Sequence, residues 1–392
     1  MDFIYIPLIV LLGFAFIKRF RKQISKQQMS VLNKLWGFHL LITLGFYLFT
    51  LGGDVDAWGY WLRPKSMSPT DFWNALFNER GTYFVDALNY IPSNILGMGF
   101  FANNLLFGFI GFIGLAYFYV IAIKVIPYNI KLGKFYIFPL VFFLPNLHFW
   151  STGLGKDSLL FFSIGMFTYA LFSPFRHLIM IFISLGIAFF IRPHMLLFIL
   201  ISFGLAYAID SNSGAIKRLF LAVTLIAGSI IILPSVLEFV KVDEISLDSV
   251  EKFSENRSAA LSREKTESRL SQNSSFPAKL FAFYFRPFFF DINGLPALIA
   301  SFENLLLFIL GIKVLRQKPY LSFKRAPFII KGFLIFTLIG SIAFSLSLGN
   351  VGIMLRMRNM FLPGFLIFIM WSLSYAYERK HNLKSKSTSF TS

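Results

Sequence analysis

Asp54 and Asp56, in LGGDVDAW, flank one valine directly after a Gly-Gly break at the end of an apolar stretch. Carboxylates so spaced can aim at one pocket, where they could bind a sugar hydroxyl, hold a metal, or take a proton from an attacking hydroxyl. The plainer alternative is a polar helix cap at a membrane boundary. A second set is cationic: Lys156 in GLGKD, Arg192 and His194 in IRPH, Arg286 in FRPFFFD, and Arg356 and Arg358 in LRMRN. Each lies near the end of an apolar stretch, where an ionisable group is costly and needs a partner. Arginine's planar fork suits bidentate phosphate binding. The helix starting after GLGKD would add free amides to an anion site, and His194 could donate to a phosphate or shuttle a proton. Asp54 and Asp56 are therefore the catalytic candidates, and the cations are the substrate-binding ones. Snorkelling to lipid phosphates would explain any one cation, but explains the whole set less readily. Glu303, inside an apolar stretch, is expected to pair with one of the arginines.

The elements that must position these residues are apolar helices. Of 392 residues, 56% are hydrophobic, only 14% are charged and 52 are phenylalanine. A soluble chain carries roughly 25% charged residues. The composition predicts an all-α polytopic membrane protein, a single integral-membrane domain over residues 1–392. About eleven spans are expected, near 3–17, 35–51, 101–123, 135–150, 158–172, 178–191, 195–209, 219–239, 295–312, 327–348 and 360–377. Several fall short of the ~20 residues of a perpendicular crossing. The pair joined at NLHFWSTGLGKD fits a tilted or re-entrant hairpin, which protein must cover.

Charge sets the sidedness. Assigned to alternate sides of these spans, 22 of the 37 basic residues share one side with two acids, Asp210 and Glu378. Excess Lys and Arg in short loops mark the cytoplasmic face. The expected topology is N-out and C-in, with a basic cytoplasmic tail at 378–392. All the candidate residues then face outward. So do an aromatic-rich segment at 52–100, suited to interfacial helices, and a long loop at 240–294, either a solvated connector or a lid over an outward cleft. The net charge of +18 follows from these basic loops and the anionic headgroups they meet, so no nucleic-acid partner is expected. The chain has no cysteine, and its five histidines show no metal-binding spacing. No cofactor and no dedicated metal site are expected.

The order of these segments resembles the bacterial Wzy-type oligosaccharide repeat-unit polymerases, related in architecture to GT-C-like membrane glycosyltransferases that use polyprenyl-linked donors. The resemblance is carried by GGDVDAWGYW, GTYFVDALNYIPSNILGMG, LPNLHFWSTGLGKDSLLFF, AFFIRPHMLL, FYFRPFFFDINGLPALIASFEN and GNVGIMLRMRNMFLPG. It implies a multi-pass enzyme of the bacterial cytoplasmic (inner) membrane, joining polyprenyl-pyrophosphate-linked repeat units in surface polysaccharide (O-antigen) biosynthesis. It implies that Arg192, Arg286, Arg356 and Arg358 engage the lipid pyrophosphate, with a chain-length regulator or flippase as possible partner. Where many relatives have Arg-Gln, this chain has Lys156-Asp157. A transferase adding one sugar from a polyprenyl-phosphate donor and a lipid-glycan transporter are the alternatives.

Overall fold

The apolar stretches fold as helices because a backbone in nonpolar surroundings must satisfy its N–H and C=O groups within the segment. The computed structural model describes residues 2–53, 55–210, 214–240, 274–292, 294–347 and 350–381. Asp54, residues 241–273 of the 240–294 loop and the tail beyond 381 lie outside the described residues. The order is α1 (Asp2–Lys18), α2 (Lys26–Leu51), α3 (Asp56–Leu62), α4 (Pro69–Phe77), α5 (Thr82–Tyr90) and α6 (Phe100–Val125). A two-strand hairpin, β1 (Lys131–Leu132) and β2 (Phe135–Tyr136), precedes α7 (Ile137–Leu140), α8 (Pro145–Thr152), α9 (Lys156–Ala170) and α10 (Leu178–Ile191). Then come α11 (Pro193–Ala208), α12 (Ala215–Val240), α13 (Phe276–Phe285), α14 (Leu295–Leu315), α15 (Pro319–Arg325), α16 (Phe328–Ser347), α17 (Val351–Arg358) and α18 (Leu362–Lys380).

Among the described residues, five helices are long and apolar enough to cross a bilayer: Lys26–Leu51, Phe100–Val125, Pro174–Ile191, Leu295–Leu315 and Phe328–Leu346. A sixth is counted if α17 and α18, bent by 65° at the break between them, form one broken span. The chain is an all-α membrane protein on this ground. The 135–150 stretch is not one helix. Gly133, at φ 62°, turns the hairpin. Phe138 and Leu144 are extended, at ψ 131° and 120°, because each precedes a proline whose ring disfavours helical geometry before it. Only the eight residues of α8 follow.

The described residues form two compact units: Met1–Lys124 with Pro139–Arg192, and Val125–Phe138 with the described residues from Pro193 onward. The first is built around α6. Its glycines let other backbones approach: a Cβ on Gly111 would sit 1.7 Å from Ser151 O, and one on Gly114 would sit 2.8 Å from Phe161 O. Small residues at such crossings are how helices pack closely where no hydrophobic effect drives them together. Outer faces of α1 and α10 expose Phe3, Leu8, Leu11, Ile179 and Phe182, as lipid-facing helices do. The second unit packs α11, α16 and α18 together, with Phe333, Phe336 and Phe361 fully buried.

Candidate functional site

In the first unit, α3 is held against α5 by side chains on one face of α5 and of the π turn that follows it (Ile91–Ile95). Asn89 donates to Tyr60 O at 2.7 Å, Ser93 to Trp61 O at 2.6 Å, and Asn94 to Pro64 O at 2.9 Å and Lys65 O at 3.0 Å. Helical spacing of three and four residues is what puts Asp86, Asn89 and Ser93 on a common face. The other side of α3 is braced by Trp58, which donates to Thr50 O at 2.9 Å and stacks on Phe100. The aromatic segment thus divides, with Tyr60, Phe84 and Tyr90 buried and Trp73 and Phe77 exposed.

This bracing brings Arg63 onto Asp86. The guanidinium grips the carboxylate through Nε at 2.7 Å and Nη2 at 2.9 Å. The pair is asymmetric: the Arg63 side chain is 44% exposed and that of Asp86 only 1%. Burial pushes the Asp86 carboxyl above its ordinary range, although Arg63, by hydrogen bond and charge, and Lys156 pull it down. Arg63, gripping from the exposed side, is held more firmly protonated by the same bond. Asp86 is therefore a paired but unsettled acid. A carboxyl shifted toward neutrality is suited to give and take protons.

Lys156 and Asp157 open α9. Gly155 before them has φ 156°, and a Cβ there would come within 3.3 Å of the Tyr60 ring, so a side chain would strain this turn. Lys156 Nζ donates to Thr82 Oγ1 at 3.0 Å, at the start of α5. Arg192, ending α10, lies 3.3 Å from Asp157 Oδ1. The end of α10, which packs on α9, is also tied to α5: Gly81 N donates to Phe190 O at 2.7 Å and Phe84 stacks on Phe190. Asp56, exposed at the start of α3, adds its charge beside Arg63. Three acids (Asp56, Asp86, Asp157) and three cations (Arg63, Lys156, Arg192) thus gather where α3, α5, α9 and α10 meet. Such an array can bind a phosphate and move a proton beside it. Asp86 and Arg63 were absent from the sequence-based candidates. The signal was a lone acid in an aromatic run, FVDALNY, three residues before Asn89 and seven before Ser93.

The second unit holds Arg286, Arg356, Arg358 and His194. Arg286, ending α13, closes on Asp291 through Nε at 2.9 Å and a short Nη2 contact, and Phe288 N also donates to Asp291 at 2.9 Å. Burial acts to raise the Asp291 carboxyl, but the bonds from Arg286 and Phe288 prevail and hold it below the usual range. Arg358 is buried and donates to Tyr284 O and, at 2.7 Å, to Asn304 Oδ1. Asn304 in turn donates to Pro287 O at 2.7 Å, so it ties the FRP turn to Arg358. Glu303, also buried, interacts electrostatically with Arg358, the kind of partner expected for it. Arg356 is half-buried on α17, and His194 lies edge-on to Phe198 and Phe344. Among the described residues, no three His, Asp or Glu side chains gather as a metal site.

Compared with known proteins, the chain matches no family model, no curated protein and no solved structure.

Proposed function

We propose that this chain is a multi-pass membrane glycosyltransferase, joining repeat units carried on a polyprenyl pyrophosphate at the outer face of a bacterial cytoplasmic membrane. In this reading it crosses the bilayer about eleven times, N-out and C-in, with helices shorter than a full crossing covered by neighbouring protein. The observation that carries the reading is the array of Asp56, Arg63, Asp86, Lys156, Asp157 and Arg192. A lipid-linked glycan needs cations at headgroup level for its linker and carboxylates beside them for the sugar. The acceptor hydroxyl attacks the anomeric carbon, and the bond from that carbon to the pyrophosphate oxygen breaks. Cations stabilise the departing charge. Asp86 takes the hydroxyl proton, a role Asp54 and Asp56 share in the sequence-based reading. Arg286 and Arg358, closed on their own partners, hold the second unit in shape and open to substrate only by exchanging those partners.

A lipid-glycan transporter is the second reading. It is favoured by ionisable groups buried among the helices: Lys331, 3.4 Å from Asp210, and Arg358 beside Glu303. Gel analysis of surface glycan from a strain lacking the chain separates the readings. Loss of the long ladder with one repeat unit retained is expected. A uniformly truncated unit would mean single-sugar transfer. Accumulation of lipid-linked unit on the inner leaflet would mean transport.

A further inference from the structure

His39 on α2 and His148 on α8 are 109 residues apart in sequence and meet, fully buried, inside the first unit. Their Nδ1 atoms lie 2.9 Å apart. His39 Nε2 is 2.9 Å from Gly108 O, and His148 Nε2 is 2.7 Å from Phe142 O. A carbonyl oxygen only accepts, so both Nε2 atoms must carry protons. In a neutral imidazole a proton on Nε2 leaves Nδ1 bare. Two bare Nδ1 atoms at this distance would oppose lone pair to lone pair. All three contacts are satisfied together only when a third proton lies between the rings.

We propose that His39 and His148 form a buried proton-binding site, taking up one proton from solvent and sharing it between their Nδ1 atoms as a single positive charge. Without that proton, two ring protons serve three contacts, and either a carbonyl loses its donor or the rings separate. The pair titrates as one unit. The rings pack among aromatic side chains, with Phe38 edge-on to His148 and Phe112 against His39, and they meet backbone carbonyls. From α2, Trp36 stacks on His39, and Thr43 donates to His39 O. From α6 come Gly108 and Phe112; from α8, Ser151 is bonded to the backbone and Thr152 to Thr43. Tyr119 on α6 is the titratable group on the far side of Phe142, and its hydroxyl donates to Gln28 O at 3.1 Å. Among the described residues, no carboxylate bonds to either ring.

The site has a mechanical consequence. His148 ties α8 to α2, and α8 ends shortly before Lys156 and Asp157. Proton loss therefore loosens the helix that leads into that turn. The inference stands on the ring contacts alone and does not need the glycosyltransferase reading.

The test is nitrogen NMR of histidine-labelled, full-length protein in lipid nanodiscs, from about pH 8, above the range in which free histidine titrates, down to the lowest pH at which the chain stays folded. Coupling across the Nδ1–Nδ1 hydrogen bond identifies the pair in the unaltered chain, and His39→Gln and His148→Gln confirm the assignment. The expected result is three ring protons on the pair at the acid end, gained in one step. Either single variant should abolish that step in the remaining histidine. Two ring protons at every pH at which the chain is folded would overturn the proposal. The wild-type count decides it even if both variants misfold.

Discussion

Asp86 in the first unit and Asp291 in the second each receive both nitrogens of an arginine fork, yet their carboxyls are driven in opposite directions. Asp291 draws its arginine from five residues away and adds the Phe288 amide, so its ionised form is held by three donors in one tight turn. Asp86 has a partner 23 residues away, reaching in from the exposed side, and its burial outweighs that bond. An ion pair by itself therefore does not make a settled carboxylate. What matters is whether enough donors replace the lost water. The second unit spends its arginines on its own turns, and the first leaves an acid poised.

Exchanging the poised acid tests the contrast most sharply. Asp86→Asn keeps the shape and can still accept from Arg63, but it cannot take a proton. Polymer formation at matched protein level should fall about 10²–10⁴-fold, as for loss of a general base. In the parent, a base with a raised carboxyl should give activity that climbs with pH through that raised value, and the variant should lack this limb. Normal polymer length in the variant would remove Asp86 from the chemistry.

Arg358 probes the opposite extreme, a cation wholly given to structure. Arg358→Met leaves Tyr284 O and Asn304 Oδ1 without their donor and Glu303 without its nearby charge. Denaturant unfolding in micelles should show a loss of about 3–5 kcal/mol, the usual cost of breaking a buried charged network. A variant as stable as the parent would mean that this network does not hold the unit together.

The smallest effect belongs to Asp291→Asn. Its folded carboxyl sits below the ordinary range, so its contribution is fully present above the unfolded value of about 4. It fades only as pH falls on through the lower folded value. The variant should lose about 1 kcal/mol at neutral pH, with wild type and variant converging in acid. Activity should be nearly unchanged. A large loss of activity with stability intact would give the Arg286 turn a role beyond structure and erase its contrast with Asp86.

Much of the helical content could be read from the chain. The apolar run at 35–51 marked part of α2, but the helix starts at Lys26, where Ser25 and Gln28 form a capping box that hydrophobicity does not reveal. The 135–150 stretch was misread because hydrophobicity was weighed above Pro139 and Pro145, whose effect on the preceding residue is local and visible. At the site, the cations Lys156 and Arg192 were legible as costly residues at helix ends. Their partner Asp157 was adjacent in the motif, but its pairing with Arg192 depends on how α9 meets α10.

Composition and charge pattern by themselves determined an all-helical chain suited to a membrane, because apolar runs can bury their backbone only by bonding it internally. Residue type likewise determined which groups must find partners, since a charge among apolar helices is not stable alone. Only the tertiary structure decided who those partners are. A helix that is apolar on every side carries no periodic mark of which face meets which neighbour. The close approach of α8 to α6 at Gly111, which seats His148 against His39, and the bracing of α3 on α5, which delivers Arg63 to Asp86, arise from packing between segments distant in sequence.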